Sequence, residues 1–86
     1  MSIWGFAVTN EEVLARITNI IRENLDNDEI ILTAETEASD VDGWDSLAHV
    51  RIMVAIEEDL NVRFTTDEIT SLKDVGSLIA LVQARV

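Results

Sequence analysis

Ser46 and His49 stand one helical turn apart, and a hydroxyl beside an imidazole is the raw material of a nucleophile and its base. The surrounding residues do not support that chemistry. No Gly-x-Ser-x-Gly elbow encloses Ser46, no oxyanion arrangement is evident, and helical spacing turns His49 towards the sector of Ile52 and Ile56. His49, the only histidine, is read as a partly buried packing residue, and no catalytic residue is assigned. Asp40, Asp42 and Asp45 raise a second possibility, because calcium takes several carboxylate oxygens. EF-hand spacing fails, since the required glycine would fall on Asp45 counting from Asp40 and on Ile31 counting from Asp26. No metal site is assigned, and the acidic surface is credited with weak cation attraction at most. Cysteine is absent, which excludes disulfides and means that any thiol chemistry needs a thiol the chain does not encode.

Ser46 keeps its interest through position. It opens a predicted helix after a long acidic loop, where its hydroxyl can project into solvent within reach of a modifying enzyme. Amide hydrogens at a helix N-terminus stabilise an anion by roughly 0.3–1 kcal/mol at exposed sites, so a phosphodiester there is tolerated despite neighbouring acids. A serine that begins a helix is, taken alone, ordinarily a cap or a filler.

The elements that position it are helical. Proline is missing, glycine occurs three times, and apolar residues recur at spacings of three and four with no β pattern of any length. Thr9 and Glu12 form a capping box for a first helix that buries Val13, Ile17, Ile20, Ile21 and Leu25 and ends near Asn27. The segment from Asp26 to Asp45 is dense in acids with Thr, Ser and Gly among them, and reads as a long loop with a short turn around Ile30 to Leu32. Asp45 caps a second helix running from about Ser46 to Leu60, which Asn61 ends. Thr65 and Glu68 box a short third helix, and Ser71 or Asp74 caps a fourth carrying Leu72, Val75, Ile79, Val82 and Val86. The expectation is an all-α bundle of four helices with a long loop between the first and second. Residues 1–8 are an apolar tail and residues 9–86 a single domain.

The second helix carries two apolar stripes where a surface helix needs one. Ile52, Met53, Ile56 and Leu60 form the core stripe, while Leu47, Val50 and Val54 lie on a separate sector flanked by Arg51, Glu57 and Glu58. An exposed apolar strip rimmed by charge suits partner docking; a helix buried on both sides would give the same periodicity.

At 86 residues the chain is too short to enclose a deep catalytic cleft, and a domain of this size buries only roughly 60% of its unfolded surface. The net charge of −11 repels nucleic acid and anionic membranes and favours partners with basic patches. The apolar segment from Met1 to Val8 lacks a basic n-region and is too short for a signal peptide or a membrane span, so a cytoplasmic protein is expected. The segment is read as packed on its own domain or frayed, with a docking or dimer-forming tail as the alternative, and the chain is expected to be a monomer.

Asp42-Gly43-Trp44-Asp45-Ser46-Leu47-Ala48-His49-Val50 resembles the attachment motif of acyl carrier proteins, with Asp45-Ser46-Leu47 at its centre. The likeness continues through Glu57-Glu58-Asp59-Leu60, Phe64, Leu72, Val75, Ile79 and Val82 with compatible helix spacing. This resemblance implies a four-helix bundle with 4'-phosphopantetheine attached covalently to Ser46, flanked by Asp45 and Leu47, and holding acyl groups as thioesters. The missing thiol would then come from the cofactor, which a phosphopantetheinyl transferase installs from coenzyme A. The implied partners are that transferase and acyl-loading and acyl-processing enzymes with basic docking patches, engaging Leu47, Val50, Arg51, Val54, Glu57 and Glu58. The implied role is delivery in fatty-acid, polyketide or related secondary metabolism, without catalysis by the chain itself.

Departures from the family pattern point to a specialised, free-standing member. Arg51 stands where fatty-acid carriers commonly place an acid, and Trp44 and Asp42 differ from the frequent Asp-Leu-Gly arrangement. Trp44 serves either as a partner contact or as a lid on the loop. Asp45 favours acyl cargo over the glycine and histidine that precede the serine of peptidyl carriers, with a standalone aminoacyl or peptidyl carrier as the alternative. From a different class, an unmodified acidic adaptor would use the same apolar strip and leave Ser46 idle.

Overall fold

The computed structural model describes residues 9–85; the tail expected over residues 1–8, and Val86, lie outside them. The elements are α1 (Asn10–Leu25), a 3-10 turn (Ala38–Asp40), α2 (Ser46–Leu60), α3 (Thr66–Thr70) and α4 (Val75–Arg85). The described residues contain no strand. Each helix begins where a short polar side chain can satisfy the first turn. Thr9 and Glu12 make the reciprocal box at α1, Asp45 accepts from the Ala48 amide at α2, and Thr65 and Glu68 repeat the box at α3. At α4 it is Asp74, not Ser71, whose carboxylate takes the Ser77 amide at 2.8 Å. α1 and α2 end on Asp26 and Asn61 in the left-handed conformation, at φ 52° and 55°.

α1 packs against both α2 and α4. Val13, Ile17, Ile20 and Ile21 meet Ile52, Met53, Ile56 and Leu60 of α2 and Val75, Leu78, Ile79 and Val82 of α4 in one buried cluster. Leu25 is only half-buried at its edge, and Leu78 joins the core although its helix is apolar on nearly every side. Outside the core, Arg16 Nε reaches Asp59 at 2.9 Å and fixes α1 to the end of α2.

The long loop departs from expectation in one place. Ile30 to Leu32 form no turn and no regular structure, the turns lying on either side at 28–29 and 34–35; Ile30 and Leu32 are buried and Ile31 is exposed. The loop's anchors are the Arg22 side chain on the Ile30 carbonyl at 2.8 Å, and the Val75 and Gly76 amides on the Thr36 and Ala34 carbonyls at 2.9 and 2.8 Å. The loop is thus tied to α1 at one end and to the start of α4 at the other. It delivers Gly43, at φ +89°, to the tight turn before Trp44, Asp45 and Ser46.

Candidate functional site

Asp45 and Ser46 divide two tasks between them. The Asp45 carboxylate accepts the Ala48 amide at 2.8 Å and its carbonyl accepts the His49 amide at 2.8 Å, so the side-chain cap of α2 is supplied by Asp45 and not by Ser46. The Ser46 side chain is exposed and makes no hydrogen bond to any described residue. A hydroxyl that caps its own helix would have to break that bond to be modified, whereas this one is available with the helix intact. Ser46 also stands at the positive end of the α2 dipole, where an attached phosphate gains from the helix field. These features fit a covalently attached phosphodiester.

His49 is engaged elsewhere. Trp44 Nε1 donates to His49 Nδ1 at 3.1 Å, and the rings lie 6.0 Å apart at 29°. An indole N–H only donates, so Nδ1 is the bare nitrogen and Nε2 carries the hydrogen, which it gives to the Ile69 carbonyl at 3.0 Å. Both ring nitrogens are occupied, and neither is available as a base for Ser46. The chain of bonds Trp44–His49–Ile69 links the loop before Ser46 to the first turn of α2 and to α3. Trp44 is half-buried, and its bond to His49 holds the segment that presents the serine. Beside it lies a small open pocket of about 30 Å³ bordered by Trp44, His49, Leu72 and Leu78.

Along α2 the second apolar stripe faces solvent, with Leu47 73%, Val50 54% and Val54 43% exposed. Arg51 and Glu58 are exposed with it. Glu57 is drawn away: half-buried, it accepts the Phe64 amide at 2.8 Å and holds the loop beyond α2. The described residues hold no group of three or more His, Cys, Asp or Glu able to bind a metal ion. None of their helices is long and apolar enough to cross a membrane.

Sequence reasoning missed the partners of Trp44 and His49 and the inward turn of Glu57. The only signal for the first was the pairing of two ring-bearing polar residues around the helix start. The second left no mark, because an acid in the last turn of a helix looks the same free or bound.

Comparison with known proteins agrees with this geometry. A family described as "Phosphopantetheine attachment site" matches residues 15–82. The acyl carrier protein MbtL of Mycobacterium sp. (strain MCS) is 39% identical over 77 residues, covering 90% of this chain and 86% of that one. An acyl carrier protein of Phenylobacterium zucineum (strain HLK1) is 31% identical over 74 residues, covering 86% and 94%. The solution NMR structure of a holo acyl carrier protein from Geobacter metallireducens superposes with a TM-score of 0.78 at 42% identity, covering 84% of this chain and 83% of that one. With the attachment-site match spanning most of its length and relatives of this identity and coverage, the chain belongs to the acyl carrier protein family, whose cofactor is covalently attached phosphopantetheine.

Proposed function

We propose that Ser46 is the attachment residue and that the chain works as a single carrier domain over residues 9–86, a cytoplasmic monomer that delivers acyl groups and catalyses nothing itself. One observation supports this above the others: Asp45 caps α2, and the exposed Ser46 hydroxyl makes no hydrogen bond to any described residue. When bound, the phosphopantetheine supplies the thiol that the chain lacks and so permits thioester cargo. The chain's own residues hold the arm's origin still. Asp45 fixes the helix start, and Trp44 with His49 fixes the loop that precedes it. A tether on a rigid origin raises the effective concentration of its cargo at each enzyme visited. Leu47, Val50 and Val54 give those enzymes an apolar strip, and Glu58 gives their basic patches a carboxylate. The partners in this reading are a phosphopantetheinyl transferase and acyl-loading and acyl-processing enzymes.

The test is loading with an acyl-coenzyme A and a broad-specificity phosphopantetheinyl transferase, followed by neutral hydroxylamine. Wild type should gain the acylated arm and release its acyl group as a hydroxamate, and Ser46→Ala should gain nothing. Equal loading of both forms would place the attachment elsewhere. Repeated failure to load folded wild type with several transferases would favour the unmodified adaptor.

A further inference from the structure

The solvent face of α2 is bipolar rather than acidic. At 100° per residue, Leu47, Arg51, Val54 and Glu58 fall within about 60° of arc, with Val50 on their flank. They form one line along the helix, aliphatic and charged residues alternating. Neighbouring acids of the helix are bonded elsewhere than to the arginine: Glu57 accepts the Phe64 amide and Asp59 pairs with Arg16. Arg51 itself is exposed and makes no hydrogen bond or ion pair to any described residue. The charges this line presents to a partner are therefore one cation and one carboxylate, about 10.5 Å apart along the axis with Val54 between them. Below Glu58 the line opens into a groove bordered by Val54, Val62 and Arg63, with room for a partner side chain.

We infer that this face fits a partner enzyme whose docking surface carries a carboxylate opposite Arg51 and a cation opposite Glu58, across an aliphatic strip. The inference rests on the carrier reading and narrows it. An enzyme with a uniformly basic patch meets repulsion at Arg51, and like charges brought face to face discriminate against wrong partners more than opposite ones reward right ones. Arg51 then acts as a specificity residue: it excludes this chain from partners of wholly acidic carriers.

The experiment uses the phosphopantetheinylated protein and, as probe, a fatty-acid ketosynthase with a lysine- and arginine-rich docking patch. The ketosynthase is tested unaltered and as a set in which each patch cation is replaced by Glu in turn. Binding is measured at low salt for wild type, Arg51→Gln and Arg51→Glu. Arg51→Glu should bind the unaltered enzyme about tenfold tighter than wild type, with Arg51→Gln between, and the gain should fade as salt rises. At least one charge-reversed ketosynthase should invert the order and prefer wild type. Equal binding of wild type and Arg51→Glu to every form overturns the inference. So does tighter binding of Arg51→Glu with no inverted pairing, because the arginine would then act only through net charge. Intact mass separates the two levels: protein that never accepts the arm overturns the carrier reading and this inference together, whereas modified protein with charge-blind binding overturns this inference alone.

Discussion

Replacing Asp45 should weaken the fold, and replacing its neighbour Ser46 should not. Asp45→Ala removes the acceptor 2.8 Å from the Ala48 amide at the start of the helix that contributes Ile52, Met53, Ile56 and Leu60 to the core. Loss of an N-cap costs about 1 kcal/mol, within a range of roughly 0.5–2. In a domain of this size that lowers the melting temperature by about 4–8 °C. Asp45→Asn keeps the acceptor and should restore most of the loss, since the two residues cap about equally well. Ser46→Ala removes a hydroxyl that makes no bond to any described residue and puts a better helix former at the first helical position. Its effect should stay within about 0.5 kcal/mol of zero. Urea unfolding followed by far-ultraviolet circular dichroism reads all three variants against wild type. If Ser46→Ala were as destabilising as Asp45→Ala, the serine hydroxyl would be part of the cap and the division of tasks between the two residues would be refuted.

Ile56→Ala, at a fully buried position of α2, should cost roughly 2–5 kcal/mol in the same assay, whereas Leu47→Ala on the solvent face should cost under about 0.5. Gly43→Ala should destabilise by about 1 kcal/mol or more because φ is +89° there, and melting temperature is the readout. Trp44→Phe deletes the donor to His49 and should cost about 1 kcal/mol, with the largest amide chemical-shift changes at His49 and around Ile69. Two carboxyls sit below their ordinary range in the folded chain: Glu68 through the Thr65 amide and then Arg85, and Asp74 through the Ser77 amide and hydroxyl. The unfolded chain therefore protonates them at higher pH than the folded one. Their stabilisation is complete above the ordinary values of 4.5 and 3.8 and is lost as pH falls through the lowered folded ones. A Glu68→Gln, Asp74→Asn variant should accordingly lose less stability than wild type between about pH 5 and about pH 3.

The helices were legible because their signals are local. The boxes Thr9–Glu12 and Thr65–Glu68, the Asp45 cap and the Asn61 stop each lie within one turn of the boundary they set. The two stripes of α2 could be separated by angle, but only packing could decide which faced water; α1 took the Ile52–Ile56 side and left Leu47 and Val50 outside. α4 was harder, because Leu78, Ile79, Leu81 and Val82 are all apolar and the inward choice of Leu78 depends on the neighbours. In the loop, three residues from Ile30 to Leu32 are too few for their buried-exposed-buried pattern to be read from the sequence. The bonds that tie it to Val75 and Gly76 join residues about 40 apart in sequence, and the one to Arg22 reaches back into α1. The candidate site divides in the same way. Ser46 and its cap stand together in the sequence, whereas the bond from His49 to Ile69 spans 20 residues and the hold of Phe64 on Glu57 spans a chain reversal.

Whether Ser46 carries the arm is decided by intact-mass analysis after incubation with coenzyme A and a broad-specificity phosphopantetheinyl transferase, with fragmentation of the modified peptide to locate the group. One phosphopantetheine is expected on wild type, placed on Ser46, and none on Ser46→Ala with its fold intact. A group placed on any other residue, or the same addition to Ser46→Ala, would contradict the assignment of the arm to Ser46.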